Sequence, residues 1–223
     1  MQITLYIIRH GQTVDNLENR IQGHSDSPLT ALGVRQAEAI AERLVSERFD
    51  AIYSSDLGRA MRTAKIIAAK QPPLRQAQDA QMVVQPTELL RELNLGVAQG
   101  LTATEFAEKW PEEYRLWSSY SVTHRPPGAE SIESLTERCR EFVQEILRSH
   151  QDGEKLAVVG HSGSQRGLVC AALDLPVRYY RYLSVANAAL SIVEAGDRPS
   201  LRLYNDTYHL HGVDVTVSDV DAG

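Results

Sequence analysis

The chain has 223 residues and a net charge of −6 at pH 7. Its 43% hydrophobic and 23% charged residues are ordinary for a soluble globular protein. The negative charge argues against non-specific nucleic-acid binding and gives no hint of a membrane partner. A chain of this length can bury a substantial core, so we expect one domain over residues 1–212 and a flexible acidic tail over 213–223.

The N-terminus lacks the basic start and long apolar segment of a signal peptide. No run of about 18 apolar residues predicts a membrane span. Cys139 and Cys170 lie in apolar helical stripes, so we interpret them as buried, reduced thiols rather than as a disulfide or a metal-binding pair. Together these features predict a cytoplasmic protein.

In chain order, short apolar runs alternate with amphipathic segments. The first, Leu5 to Ile8, is typical of a strand buried on both faces. Thr30 is placed to cap the helix that follows it, and Asp56 to cap a helix that runs to about Lys70. Further strands are predicted near 51–53, 82–84, 156–159, 189–193 and 201–204, and further helices from about 102, 131 and 163.

This alternation predicts an α/β fold, a three-layer sandwich with a mostly parallel central sheet flanked by helices. Residues 101–128 differ in character and predict a helical insertion over the sheet, opened by a capping box at Thr102 and interrupted or restarted at Pro111. The insertion has aromatic residues at helix-like spacing, which pack a lid or form an aromatic wall against a ligand. They are Trp110, Tyr114, Trp117 and Tyr120.

Three predicted strands end in reactive or cationic groups. In an open α/β sheet, ligands bind at the carboxyl ends of the strands, so these groups are expected to converge. Arg9 and His10 follow the first strand, Arg59 opens the helix after the second, and His161 follows the fourth. Each histidine also has an ordinary interpretation as a satisfied polar or capping residue. Arg59 is either a surface cation or part of an anion site at its helix N-terminus.

Six ordered blocks of residues resemble the histidine phosphatase (phosphoglycerate-mutase-like) superfamily across about residues 3–210. One RHG tripeptide would be weak evidence, but the order of all six is specific. The blocks are Arg9-His10-Gly11-Gln12-Thr13 with Asn16; Arg20-Ile21-Gln22-Gly23; Pro28-Leu29-Thr30 with Gly33, Gln36 and Ala37; Ser54-Ser55-Asp56-Leu57 with Arg59, Ala60, Thr63 and Ala64; Leu90, Glu92 and Gly96; and Pro126-Pro127-Gly128 with Glu130 and Ser131.

The resemblance implies a phosphoryl-transfer enzyme without a metal or other cofactor, acting on a small phosphorylated substrate. His10 would attack phosphorus and form a phosphohistidine, while Glu92 would protonate the leaving group and then activate water. The remaining catalytic groups would hold the phosphoryl oxygens: Arg9, Arg59 and His161. The resemblance also implies substrate-binding positions at Asn16, Gln22, Gly23 and Ser162.

Two features bear on which reaction is catalysed. The stretch from Glu92 to His161 is shorter than the insertion of cofactor-dependent mutases, which favours a phosphomonoester phosphatase over a phosphoglycerate mutase. Gln99 stands where the family commonly has a glutamate, which bears on the substrate rather than on the chemistry. A non-catalytic module that binds phosphorylated ligands is a further alternative. Many relatives are dimers, so the resemblance leaves a homodimer open.

Overall fold

The computed structural model describes residues 1–72, 82–119 and 124–213. Its core is a six-stranded sheet in the spatial order β3-β2-β4-β1-β5-β6. The first four strands in that order are mutually parallel, and β5 and β6 continue the sheet in antiparallel pairing. The strands are β1 (Gln2–Arg9), β2 (Ala51–Ser55), β3 (Val84–Thr87), β4 (Lys155–Gly160), β5 (Leu190–Gly196) and β6 (Ser200–Asp206).

Helices cover both faces of the sheet, which confirms the predicted three-layer α/β fold. The second and third helices pack against Tyr6 and Ile8 of β1, whereas the sixth and seventh pack against Leu5 and Ile7 of the same strand. Because successive side chains of a strand point to opposite faces, the apolar run of β1 supplies both layers of the core. The α-helices are α1 (Val14–Leu17), α2 (Ala31–Arg43), α3 (Gly58–Lys70), α4 (Ala103–Lys109), α5 (Pro111–Ser118), α6 (Ile132–Ser149) and α7 (Ser162–Ala172).

Most predicted helix starts are confirmed. The Thr30 hydroxyl accepts a hydrogen bond from the Gly33 amide at 2.9 Å, and Thr102 forms the expected capping box with Glu105. Pro111 restarts the helical insertion as the first residue of α5. Each of these helix starts depends on residues that are close together in the chain, so the sequence alone predicts it.

The predicted cap at Asp56 is wrong. Leu57 occupies the cap position of α3, and the Asp56 carboxylate instead accepts from Arg91, with Nε–Oδ1 at 2.8 Å and Nη2–Oδ2 at 2.5 Å. The Arg91 fork holds both carboxylate oxygens, a bidentate pairing that draws them away from the helix amides.

The third strand lies further along the chain than predicted, at Val84–Thr87 rather than at 82–84. Val83 is 73% exposed. The strand that forms contains Pro86, which lacks an N–H group, and β3 tolerates it because β3 is an edge strand.

The helical insertion has a small core of its own around Phe106, on which the rings of Tyr114 and Trp117 pack edge-on at 5.8 Å. Cys139 and Cys170 are buried free thiols, as predicted. Among the described residues, no helix is both long enough and apolar enough to cross a membrane. The predicted tail from residue 214 onward, and Tyr120, lie outside the described residues.

Candidate active site

The sheet register brings the two histidines together. Arg9 of β1 pairs with Gly160 of β4, so the next residue of each strand, His10 and His161, emerges at the same carboxyl edge. Their rings meet edge-on with centroids 5.1 Å apart. The convergence predicted from the strand ends is therefore present.

His10 is buried and held in one tautomer. Its Nδ1 lies 2.7 Å from the Gly11 carbonyl, which can only accept, so Nδ1 carries the proton and Nε2 presents a lone pair. Burial, reinforced by the charges of Arg59 and Arg9, holds the pKa of His10 well below its usual range. A neutral imidazole with its Nε2 lone pair available is the form that a nucleophile needs.

His161 lies behind His10 rather than beside it. Its Nδ1 accepts from Arg59 Nε at 3.1 Å, and its Nε2 donates to the Ser55 hydroxyl at 2.8 Å. Burial, then Arg59 and His10, hold the pKa of His161 well below its usual range. His161 is fully buried. A cleft lined by Arg9, His10, Arg59 and Glu92, among others, lies in front of His10, and its described lining residues do not include His161.

Arg59 is the centre of the cluster. Its Nε donates to His10 Nε2 at 3.3 Å as well as to His161, so one N–H group is shared between the two imidazoles. Its terminal nitrogens donate to the carbonyls of Gly23 and Ser25, each at 2.7 Å. The guanidinium is therefore oriented by backbone groups of the loop that carries the predicted substrate-binding positions.

The N-terminus of α3 already holds an anion from the chain itself. The Asp26 carboxylate accepts from the Gly58 amide at 2.7 Å and from the Arg59 amide at 3.3 Å. These amides are therefore not free for a substrate anion, which corrects the interpretation of Arg59 as part of an anion site at that helix end. Arg59 instead turns its guanidinium toward the histidines.

Arg9 and Glu92 flank His10: Arg9 is the last residue of β1, and Glu92 lies on the segment that follows β3. Arg9 is 3% exposed, and its Nη1 donates to the Val185 carbonyl at 2.6 Å. The Glu92 carboxylate accepts from the amides of Leu93, at 2.7 Å, and Gly163, at 3.2 Å. A Cβ on Gly163 would lie 2.1 Å from Glu92 Oε1, so glycine is required there for this placement of the carboxylate.

The four predicted substrate-binding residues line the same cleft as Arg9, His10, Arg59 and Glu92. Two have internal partners, since Asn16 Oδ1 accepts from the Thr13 amide at 3.1 Å and Gln22 Oε1 accepts from the Thr13 hydroxyl at 3.0 Å. Gly23 has a φ of +56°, in the left-handed region. The Ser162 hydroxyl is buried without a hydrogen-bond partner among the described residues.

Gln99, at the position where the family commonly has glutamate, supports the loop rather than lining the cleft. Its Oε1 accepts from the His24 amide at 2.5 Å, and a Cβ on Gly23 would lie 2.2 Å from that same oxygen. His24 in turn contacts the Glu92 carbonyl through Nε2 at 2.8 Å. Gln99, which replaces the family's common glutamate, therefore acts by packing against the loop at Gly23 and His24.

The sequence assigned no role to Arg166 and Tyr180, two polar residues that line the cleft. The Arg166 guanidinium lies 4.4 Å from the centroid of the Tyr180 ring. Arg166 could have been found, because it follows Ser162 by four residues on α7 and so shares its face. Tyr180 lies on a short 3₁₀ helix, Val177–Tyr182, and no local pattern marks it. Trp117 of the insertion also lines the cleft, whereas Trp110 is 41% exposed.

This fold and this site are those of a known class of protein, which comparison with known proteins identifies. Residues 5–207 match the family model of the histidine phosphatase superfamily, branch 1, so the chain belongs to that superfamily. The match covers nearly the whole chain and all six motif blocks. The resemblance inferred from the sequence is therefore confirmed.

Individual relatives have names of two kinds. The chain is 36% identical over 208 residues, 92% of its own length and 86% of the relative's, to phosphoglycerate mutase-like protein 4 of Arabidopsis thaliana. It is 36% identical to the probable phosphoglycerate mutase GpmB of Yersinia pestis, covering 89% of this chain and 88% of that one. Among solved structures it is similar to a mycobacterial glucosyl-3-phosphoglycerate phosphatase, with a TM-score of 0.80, 31% identity, and coverage of 93% and 100%.

Proposed function

We propose that the protein is a metal-independent phosphomonoester phosphatase that acts on a small phosphorylated metabolite through a phosphohistidine at His10. The observation that carries the proposal is the neutral His10 imidazole, whose Nε2 faces Arg59 in a cleft that Glu92 also lines. A nucleophile, cations for the phosphoryl oxygens and a proton donor are thus assembled in one place.

In the first step the Nε2 lone pair attacks phosphorus and the P–O bond to the ester breaks. The departing alkoxide takes a proton through the Glu92 carboxyl group, leaving a carboxylate and a phosphohistidine. In the second step Glu92 takes a proton from water as its oxygen attacks phosphorus. The P–N bond then breaks, phosphate leaves, and both side chains return to their starting forms.

Arginines supply the charge stabilisation that metal ions supply in many phosphoryl transferases. Arg9 and Arg59 are each nine-tenths or more buried, so their charges act in a medium of low dielectric constant. In this proposal His161 acts through Arg59, because its Nδ1 and His10 Nε2 accept from the same N–H group. It thereby holds the Arg59 guanidinium beside His10 Nε2.

Two alternatives are kept. The mutase-type names of the curated relatives favour phosphoryl transfer between substrate hydroxyls, whereas the phosphatase names of the solved structures and the short stretch between Glu92 and His161 favour hydrolysis. A non-catalytic binding module is disfavoured by the neutral, oriented His10, since binding alone does not require a nucleophile.

The test is labelling with a ³²P-labelled phosphate ester in the presence of EDTA, quenched in alkaline detergent so that an acid-labile label survives. We expect an acid-labile, base-stable label on wild type, none on His10→Ala, and release of inorganic phosphate. Release only to an added acceptor, or only with 2,3-bisphosphoglycerate present, would instead establish the mutase alternative. Absence of both label and turnover across a panel of phosphate esters would leave the binding module.

A further inference from the structure

The segment that carries Glu92 has no regular structure of its own. Residues 91–94 lie between two short 3₁₀ helices, Glu88–Leu90 and Gly96–Ala98, and belong to neither a helix nor a strand. Backbone groups that no helix or sheet satisfies need partners elsewhere. The position of Glu92 therefore depends on contacts with side chains from other parts of the chain.

The Glu92 carbonyl oxygen has two such partners. His24 Nε2 lies 2.8 Å from it, and Arg138 Nη2 donates to it at 2.9 Å. A carbonyl oxygen only accepts, so His24 Nε2 carries a proton and donates as well. The described lining residues of the cleft include neither His24 nor Arg138, so both side chains contact Glu92 from outside the cleft.

Arg138 is fixed by an ion pair with Glu130, in which Nε lies 2.8 Å from Oε1 and Nη2 lies 3.0 Å from Oε2. Both side chains are mostly buried. Arg138 Nη1 also donates to the Leu89 carbonyl at 2.8 Å, and Glu130 Oε2 accepts from the Asn94 amide at 3.3 Å. The ion pair thus holds the chain on both sides of Glu92.

His24 contacts Glu92 from the loop that orients Arg59. The carbonyls of its two neighbours, Gly23 and Ser25, accept from the Arg59 guanidinium. His24 therefore connects the backbone that holds Arg59 with the backbone of Glu92.

The peptide group between Glu92 and Leu93 transmits these contacts to the carboxylate. It is trans, so it is planar and its C=O and N–H point in opposite directions. Because His24 and Arg138 hold its oxygen, they also set the direction of the Leu93 N–H. That N–H donates to Glu92 Oε1 at 2.7 Å. Two side chains outside the cleft thus orient the donor that holds the carboxylate inside it.

We propose that His24 and Arg138 are positioning residues for Glu92, which act through the Glu92–Leu93 peptide group and keep the carboxyl group where it exchanges protons with the leaving group and with water. The inference rests on the proposed phosphatase function, in which Glu92 is the general acid and base. A displacement of about 1 Å in such a group can lower the rate roughly 10²-fold.

His24→Asn and His24→Gln form a matched pair of variants. Both remove the imidazole ring, but the glutamine amide nitrogen lies about as far along the side chain as Nε2 and can still donate to the carbonyl, whereas that of asparagine is too short. We expect His24→Asn to lower kcat/KM for an alkyl phosphate roughly 10- to 100-fold. The loss for 4-nitrophenyl phosphate should be far smaller, because its leaving group departs as a stable anion. His24→Gln should retain most of the activity on both esters.

A double-mutant cycle shows whether the effect passes through Glu92. In the Glu92→Gln background the general acid is already absent, so His24→Asn should cause no further loss. The proposal is overturned if His24→Asn impairs both esters equally, or if its full loss adds to that of Glu92→Gln. Either result would mean that His24 acts on Arg59 or on folding alone.

Arg138→Lys tests the second contact while it keeps the positive charge. An ammonium group has three donors on one nitrogen and cannot replace the guanidinium fork that reaches both loop carbonyls and the ion-pair partner. Because the change also weakens a buried ion pair and lowers stability, the ratio of kcat/KM for the two esters is compared, since this ratio does not depend on the folded fraction. The alkyl ester should lose more, and an unchanged ratio would overturn the role of Arg138.

Two control variants make the same changes away from Glu92. His150→Asn removes a ring whose Nε2 lies 2.9 Å from the Tyr53 hydroxyl. Arg140→Lys alters another arginine of α6, which pairs with the exposed Glu137. Each should leave the ratio of kcat/KM for the two esters unchanged.

Nuclear magnetic resonance of the free protein separates this proposal from the proposed function, because it requires no turnover. The amides of Leu93 and Gly163 both donate to the Glu92 carboxylate, so their signals report on its position. We expect both signals to move in His24→Asn relative to His24→Gln. Such movement in a protein that hydrolyses no ester would refute the phosphatase and retain the positioning of Glu92. Ester hydrolysis by wild type, with unmoved signals in His24→Asn, would do the opposite.

Discussion

Asp26 holds Arg59 at two points: its carboxylate accepts from the Arg59 backbone amide at 3.3 Å, and its Oδ1 lies 3.4 Å from the Arg59 guanidinium. The same carboxylate accepts from the Gly58 amide. One side chain, 33 residues earlier in the chain, thus caps α3 and fixes the arginine that contacts both histidines. The start of α3 and the candidate active site therefore depend on the same side chain, that of Asp26.

We expect Asp26→Ala to impair activity more than it impairs folding. Loss of a helix cap costs about 1 kcal/mol of stability, whereas a displaced Arg59 loses its hold on the phosphoryl group and should lower kcat roughly 10²-fold, as removal of a preorganised donor does. Steady-state kinetics and urea unfolding measure the two effects.

Asp56→Asn is the control for that prediction. Asp56 also lies at the start of α3 but pairs with Arg91 rather than with Arg59. It should therefore lose a partly exposed ion pair with little change in kcat. Equal kcat losses in the two variants would mean that the loop as a whole, and not the Asp26–Arg59 contact, supports the site.

Glu92→Gln tests the proposed proton donor through the leaving group. An alkyl phosphate needs a proton on its departing oxygen, whereas an aryl phosphate such as 4-nitrophenyl phosphate leaves as a stable anion. We expect kcat/KM for the alkyl ester to fall roughly 10²- to 10⁴-fold, the usual range for general acid catalysis, and the aryl ester to lose far less. The quantity kcat/KM is used because it reports the step in which the leaving group departs.

The exposed Glu88, which pairs with Arg91 outside the cleft, supplies the control variant Glu88→Gln. It should be neutral with both esters. A uniform loss for Glu92→Gln, independent of leaving group, would assign the carboxylate to water activation or substrate binding alone.

The sequence predicts the strands and helices well and the contacts that support the site poorly. The strands and helices follow from patterns within short segments, whereas the supporting contacts join segments that are distant in the chain. The continuous apolar run of β1 and the cap at Thr30 are local patterns, so strand and helix positions follow from them. His10 and His161 follow neighbouring strands, and general sheet geometry brings them to one edge. These predictions needed no knowledge of tertiary contacts.

The errors come from contacts between distant segments. Asp56 has the residue type and position of a cap, but Arg91 takes its carboxylate and Asp26 supplies the anion from another loop. No pattern in the local sequence indicates that Asp26, rather than Asp56, accepts from the amides at the start of α3. Tyr180 reaches the cleft from a 3₁₀ helix after α7, and only its packing on Arg166 identifies it.

Trp117→Ala separates the two interpretations of the aromatic insertion. Trp117 both lines the cleft and packs on Phe106 at 5.8 Å. If it forms a wall for the substrate, kcat/KM should fall roughly fivefold for aryl phosphates, in line with the value of an aromatic contact of about 1 kcal/mol, and little for small alkyl esters. Trp110→Ala is the matched control, because Trp110 is exposed and does not line the cleft. Equal losses on both ester classes would assign Trp117 to packing of the insertion.

His209 predicts a pH dependence of stability that is independent of catalysis. Its Nε2 donates to the Ala188 carbonyl at 2.9 Å and its Nδ1 accepts from Arg43, so the folded protein holds it neutral. Burial, then the charge of Arg43, lowers the pKa of His209 to about 4.

Because the folded pKa lies below the unfolded value of roughly 6.5, the unfolded chain binds the proton first as the pH falls. The contribution of His209 is fully present above pH 6.5 and is lost progressively down to about pH 4. After discounting for its partial exposure, we expect a loss of about 2 kcal/mol in the free energy of unfolding over that window.

Urea unfolding of wild type and His209→Gln at several pH values isolates this effect, since the shifts of His10 and His161 are common to both proteins. Glutamine can still donate to the Ala188 carbonyl but does not titrate. The stability difference should therefore shrink as the pH falls from 7 to 4, while the exposed His211→Gln variant should track wild type. A constant difference across that range would show that His209 contributes packing and hydrogen bonding but no linked proton.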